Sequence, residues 1–123
     1  MCNVLACGDT HIASMDDQYV TSPFYPNHYD QMQNCTWHIY ALDDNSPTDF
    51  QLVDLAFENS KNGTCDEGLE IYVDDSPLPR VCDDNSFNSS ILAHQTVRIM
   101  LRSSDKMKER RFKAVFRAGK IGI

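Results

Sequence analysis

Five cysteines, Cys2, Cys7, Cys35, Cys65 and Cys82, constrain this 123-residue chain more than any other feature. None belongs to a Cys-x-x-Cys pair, and no histidine pair stands at metal spacing beside them. Zinc is therefore a poor reading and a disulfide framework the default one. Cystines persist in oxidising compartments, so the framework places the chain outside the cytosol. Any four cysteines allow three pairings, and the spacing alone selects none of them. Six residues before Cys35 ends the block Ser22-Pro23-Phe24-Tyr25-Pro26-Asn27-His28-Tyr29. Pro23 and Pro26 fix φ and remove two backbone donors, so the block is neither helix nor central strand. It reads as a rigid strand-to-loop corner.

The length suits one domain, expected over residues 4–118, with short tails at 1–3 and 119–123. A net charge of −7 argues against nucleic acid, whose phosphates need a basic face. It favours cationic partners instead, either Ca²⁺ or Lys and Arg side chains. No apolar run approaches the length of a membrane-spanning helix. Residues 1–15 carry neither a basic start nor an apolar stretch, so they are not a signal peptide. Because the cysteines nonetheless require export, the chain is expected to be part of a longer secreted or cell-surface protein, or a mature form given a start Met. Three N-glycosylation sequons begin at Asn34, Asn62 and Asn88. The last two lie in polar, turn-like stretches, whereas Asn34 adjoins a cysteine expected to be buried.

The hydrophobic period is two. Trp37, Ile39 and Ala41 alternate with His38, Tyr40 and Leu42; Phe50 and Leu52 alternate with Gln51 and Val53. Leu69, Ile71 and Val73 form a third such set, Val97, Ile99 and Leu101 a fourth, and Phe112, Ala114 and Phe116 a fifth. This pattern marks half-buried strands. Turn-forming stretches separate them at 43–47, 59–64, 74–79 and 83–90. No segment carries a helical stripe. The expectation is an all-β antiparallel sandwich.

With strands and cysteines in this order, the chain resembles a CUB domain, an extracellular β-sandwich module with a jelly-roll arrangement. The resemblance runs from Cys7 to Ala118. It is carried by Cys7, the Ser22–Tyr29 block, Cys35-Thr36-Trp37-His38-Ile39, Cys65, Leu69-Glu70-Ile71-Tyr72, Leu78-Pro79-Arg80-Val81-Cys82, Ser104-Asp105 and Phe112–Phe116. It implies disulfides Cys7–Cys35 and Cys65–Cys82, leaving Cys2 unpaired within the fragment. It also implies a Ca²⁺ site at one end of the sandwich. The corresponding ligands are Glu58, Glu67 or Asp66, and Asp105, with Tyr29 supporting the Glu by hydrogen bonding. Hard oxygen donors and several carboxylates suit Ca²⁺. Spacing departs from the family pattern: Glu58 lies farther before Cys65 than usual, and Gly68 occupies the place of the family's Asp.

The resemblance implies a recognition module that binds an extracellular protein through its Lys or Arg, or another CUB-bearing chain. The alternative is a stand-alone glycan or glycosaminoglycan binder, like the spermadhesins, using the basic run Lys106, Lys108, Arg110 and Arg111. Trp37 reads as core beside Cys35 rather than as a sugar platform. Catalysis finds no foothold: His11, His28, His38 and His94 are scattered, and no nucleophile elbow, metalloprotease helix or phosphate loop occurs. A protease domain outside the fragment is compatible with this reading.

Overall fold

A computed structural model describes residues 5–22, 33–57, 68–79, 81, 90–102 and 110–119. Among the described residues ten strands form two sheets: β1 (Leu5–Cys7), β2 (Thr10–Ile12), β3 (Gln18–Thr21), β4 (Gln33–Tyr40), β5 (Thr48–Phe57), β6 (Gly68–Val73), β7 (Ser76–Pro77), β8 (Ile91–Ala93), β9 (Thr96–Arg102) and β10 (Arg110–Ala118). One sheet runs β1-β4-β9-β6-β7, with β2 also on β4; the other runs β3-β10-β5-β8. No described residue is helical. The all-β, two-layer expectation matches this arrangement.

Alternation carries the packing. Trp37, Ile39, Leu69, Ile71, Val97, Ile99 and Leu101 point inward from the first sheet. Phe50, Leu52, Leu55, Phe112, Ala114 and Phe116 meet them from the second. Ring contacts cross between the layers: Trp37 meets Phe112 edge-on at 5.1 Å, and His11 meets Phe116 at 5.6 Å. Edge-to-face pairs of this kind add about 0.5–1.5 kcal/mol beyond area burial. Trp37 is thus a core residue, as expected.

Two irregularities shape the sheets. Leu52 and Leu55 are both buried although three residues apart, which breaks a strict period of two. The β5–β10 register explains it: Lys113 faces Asp54 while the next residue, Ala114, faces Leu52. Val53 is the extra residue of a β-bulge, and the bulge restores the inward phase for Leu55. The second irregularity is the edge formed by β1 and β2. Both run parallel to β4 with one shared offset, Cys7 opposite Cys35 and Thr10 opposite His38. They are one edge strand interrupted at Gly8-Asp9. Gly8 has φ +102, and a Cβ there would strike the Thr36 carbonyl. Only glycine combines that conformation with such a close approach. Among the described strands these parallel pairings are the exceptions; the other pairings are antiparallel.

Candidate functional site

Strand register separates two ends of the sandwich with different contents. At one end Gly68 opens β6 opposite Arg102, the last residue of β9. Asn34, near the start of β4, also faces Arg102. Phe57 closes β5 opposite Arg110, which opens β10, and Thr21 closes β3 opposite Lys113. The chain therefore leaves or enters this end at residues 21–22, 33, 57, 68, 102 and 110. Glu58 follows Phe57 directly, Asp66 and Glu67 directly precede Gly68, Asp105 lies three residues after Arg102, and Tyr29 four residues before Gln33. Those five residues lie outside the described part, as do Cys2, Cys65, Cys82, Asn62, Asn88, Lys106 and Lys108. The described strands that lead into all five nonetheless end together. Among the described residues no group of three or more His, Cys, Asp or Glu could hold a metal.

Ser22, the first residue of the proline block, is anchored at this end. It is buried, its N–H donates to the Phe112 carbonyl at 3.0 Å, and its Oγ accepts from the Phe112 N–H at 3.0 Å. A buried hydroxyl is tolerated when its partners are supplied in this way. Cys35 is disulfide-bonded and fully buried, and Cys7 stands directly opposite it on the parallel edge strand. Asn34, one residue earlier, is exposed. A strand that turns Cys35 inward must turn Asn34 outward, so burial of the cysteine frees the neighbouring sequon rather than hiding it.

Part of the basic run has structural work. Arg110 is the first residue of β10. Arg111 Nε donates to Asp54 Oδ2 at 3.2 Å, an ion pair that ties β10 to β5 beside the bulge. Lys113, one turn of the pleat further, places its ammonium 4.6 Å from the centre of the Tyr19 ring. On the outer face of the first sheet Arg98 covers the Tyr72 ring at 4.3 Å, flanked on its other side by His38 in register. His38 in turn stacks on Tyr40 with ring centres 6.4 Å apart.

The opposite end is built from segments 13–17, 41–47, 74–75 and 94–95 and the close of β10 at 117–119. These carry Asp16, Asp17, Asp43, Asp44, Asp74 and Asp75, and the one described Arg among them, Arg117, pairs with Asp17. Asp74 and Asp75 have φ of 51° and 67° and join β6 to β7 across the Val73–Ser76 pair. Two successive positive φ values are the mark of a type I′ hairpin, a conformation that Asp tolerates better than most residues. The Asp74 carboxylate then reaches the neighbouring connection: Oδ1 accepts from the N–H of Gln95 at 2.6 Å and of Thr96 at 3.0 Å, and Oδ2 from His94 at 3.0 Å. Burial pushes this carboxyl up, but the three amides and the His94 charge outweigh it and hold the pKa below the ordinary 3.8. Sequence reasoning took 74–79 as a turn and missed this clasp. The adjacent aspartates between Val73 and Ser76 were the available signal.

Among the described residues the histidines, His11, His38 and His94, do not converge. His11 Nε2 pairs with Asp9 Oδ1 at 2.6 Å, His38 lies on the outer face of β4, and His94 sits in the turn before β9. A shallow depression of about 240 Å³ on the second sheet, lined by Asp17, Asp49, Gln51, Val115, Phe116 and Arg117, holds the Arg117–Asp17 pair at 4.0 Å.

Three comparisons bear on this architecture. The sequence profile of the CUB domain family matches residues 7–116. A search of curated proteins finds no match. Among solved structures, the full extracellular region of zebrafish Gpr126/Adgrg6 superposes with a TM-score of 0.78 at 18% identity, covering 95% of this chain and 15% of that one. The CUB1-EGF-CUB2 domain of human MASP-1/3 gives 0.76 at 21%, covering 94% and 43%. A crystal structure of the MASP-1 CUB2 domain bound to Ca²⁺ gives 0.69 at 21%, covering 88% and 97%. At these identities the likeness is one of fold. This chain spans less than half the length of the first two solved chains.

Proposed function

The chain belongs to the CUB domain family, and on that premise we propose that it is a non-catalytic, extracellular protein-recognition module with a Ca²⁺ site at the end of the sandwich where β5 and β9 finish and β6 and β10 begin. CUB domains are generally non-catalytic modules that mediate protein–protein contacts. The observation that supports the site is the shared end of the strands leading into Glu58, Asp66, Glu67, Asp105 and Tyr29. Carboxylates brought to one end repel each other, and a divalent cation relieves that repulsion. Glu58, Glu67 and Asp105 are the assigned ligands, Asp66 the substitute for Glu67, and Tyr29 the hydrogen-bonding support. When bound, the ion orders these segments and leaves carboxylate oxygens that receive a Lys or Arg of the partner. The Ca²⁺-bound MASP-1 CUB2 structure has this fold. Cys7–Cys35 and Cys65–Cys82 are the proposed cystines, the first supported by the register of β1 on β4.

Isothermal calorimetry with Ca²⁺ on the oxidised protein tests the reading. Binding by the wild type and its loss in Asp105→Ala are expected. A wild type that takes up no Ca²⁺ contradicts the proposal. The glycan-binding alternative is weakened by Arg111, whose guanidinium is already engaged with Asp54.

A further inference from the structure

Seven large hydrophobic residues are exposed among those described, and they are not evenly spread. Three stand apart: Tyr19 under the Lys113 ammonium, Val53 at the bulge and Leu92 on β8. Four gather where β2 and β4 finish. Ile12 is 62% exposed and lies in register with Tyr40, which is 44% exposed, on the adjacent parallel strand. Leu42, 44% exposed, follows Tyr40 by two residues; Met15, 51% exposed, follows Ile12 by three. The Ala13 N–H donates to the Tyr40 carbonyl at 2.9 Å, so the two strands stay side by side as they pass into these residues. Single exposed apolar side chains are ordinary, but four at adjoining strand ends on a sheet edge form a patch of the kind that partners cover.

The charge around the patch identifies its occupant. Asp16 follows Met15, and Asp43 and Asp44 follow Leu42; the described segments of this end hold six aspartates against one Arg, Arg117, which is already paired with Asp17. Asp74 is occupied by three backbone amides, but Asp16 and Asp44 are exposed. We propose that Ile12, Met15, Tyr40 and Leu42, rimmed by Asp16, Asp43 and Asp44, form a second docking surface for a protein segment that presents aliphatic side chains flanked by Lys or Arg. A second copy of this chain would bring like charge onto like charge, and an anionic lipid surface would be repelled for the same reason. The surface lies at the opposite end from the proposed Ca²⁺ site and does not depend on it.

The test uses two synthetic peptides, one alternating Leu and Lys and one alternating Leu and Glu, with the oxidised protein in EDTA. Removing Ca²⁺ keeps the outcome separate from that of the metal site. Amide shifts on adding the Leu-Lys peptide are expected at residues 12–16 and 40–44, weakening as salt rises. Ile12→Ser with Leu42→Ser should lower affinity at least tenfold, and Asp16→Asn with Asp44→Asn several-fold without touching the apolar residues. Equal binding of both peptides, shifts confined to other strands, or no binding overturns the proposal. So does a concentration-dependent dimer, or retention on phosphatidylserine vesicles, that the serine pair abolishes.

Discussion

Asp74 and Thr96 grip each other twice. The Asp74 N–H donates to the Thr96 carbonyl at 2.9 Å, and the Thr96 N–H donates to Asp74 Oδ1 at 3.0 Å. The β6–β7 hairpin and the β8–β9 turn are thereby locked into one unit, although they are 22 residues apart in sequence. Asp74→Ala removes the acceptor for three amides and leaves a β-carbon at positive φ without the polar side chain that favours it. A loss of about 1–3 kcal/mol in unfolding free energy is expected, discounted toward the lower figure because the site is partly solvated. Asp74→Asn keeps an acceptor oxygen and tolerates the same φ, so urea denaturation should place it between Ala and wild type.

The same carboxylate confers a pH dependence. Its folded-state pKa lies below the ordinary 3.8, so its contribution is complete above that value and disappears as pH falls through the lower folded-state pKa. The stability difference between wild type and Asp74→Asn should shrink on acidification below about 4. A difference that grows over that acid range contradicts the assignment.

Gly8 is the joint of the β1–β2 edge. Gly8→Ala places a methyl against the Thr36 carbonyl in a backbone conformation that alanine avoids. A loss of about 2–4 kcal/mol is expected, read as a lowered thermal midpoint. Retention of wild-type stability would mean that the edge does not turn there.

Cys7 and Cys35 face each other in register, and the proposed crosslink closes a loop worth about 3–4 kcal/mol by restriction of the unfolded chain. Peptide mapping without reduction should recover Cys7 and Cys35 in one linked fragment. Cys7→Ser with Cys35→Ser should lower stability by a comparable amount. Cys35 linked to Cys2, Cys65 or Cys82 contradicts the pairing.

Asn34 is the one sequon asparagine among the described residues, and it is exposed beside a buried cysteine. Protein secreted from eukaryotic cells should lose one glycan-sized mass step on Asn34→Gln. An unchanged mass distribution contradicts its use.

The long strands were legible because each presents one face to the core: Trp37 and Ile39, Leu69 and Ile71, Val97 to Leu101, and Phe112 to Phe116 all point inward as their alternation requires. The strands Leu5–Cys7, Thr10–Ile12, Gln18–Thr21, Ser76–Pro77 and Ile91–Ala93 were not, since pieces of two to four residues carry no period to read. The phase slip at Val53 needs the partner strand to be seen, because a bulge belongs to a pair of strands and not to one. The chemistry of the proposed Ca²⁺ ligands was readable from residue type and the resemblance. Their common end depends on register across β5, β6, β9 and β10, which spans the chain from Phe57 to Arg110. The Asp74 clasp and the apolar group around Tyr40 escaped for the same reason: both join residues far apart in sequence.

The most direct measurement is a Ca²⁺ titration of the oxidised, isotope-labelled protein followed through backbone amide shifts. The account predicts saturable shifts at Phe57, Gly68, Arg102 and Arg110, absent in Asp105→Ala, with the amides of His94, Gln95 and Thr96 unmoved. A spectrum that Ca²⁺ leaves unchanged, or shifts centred on the Asp74 end, would contradict it.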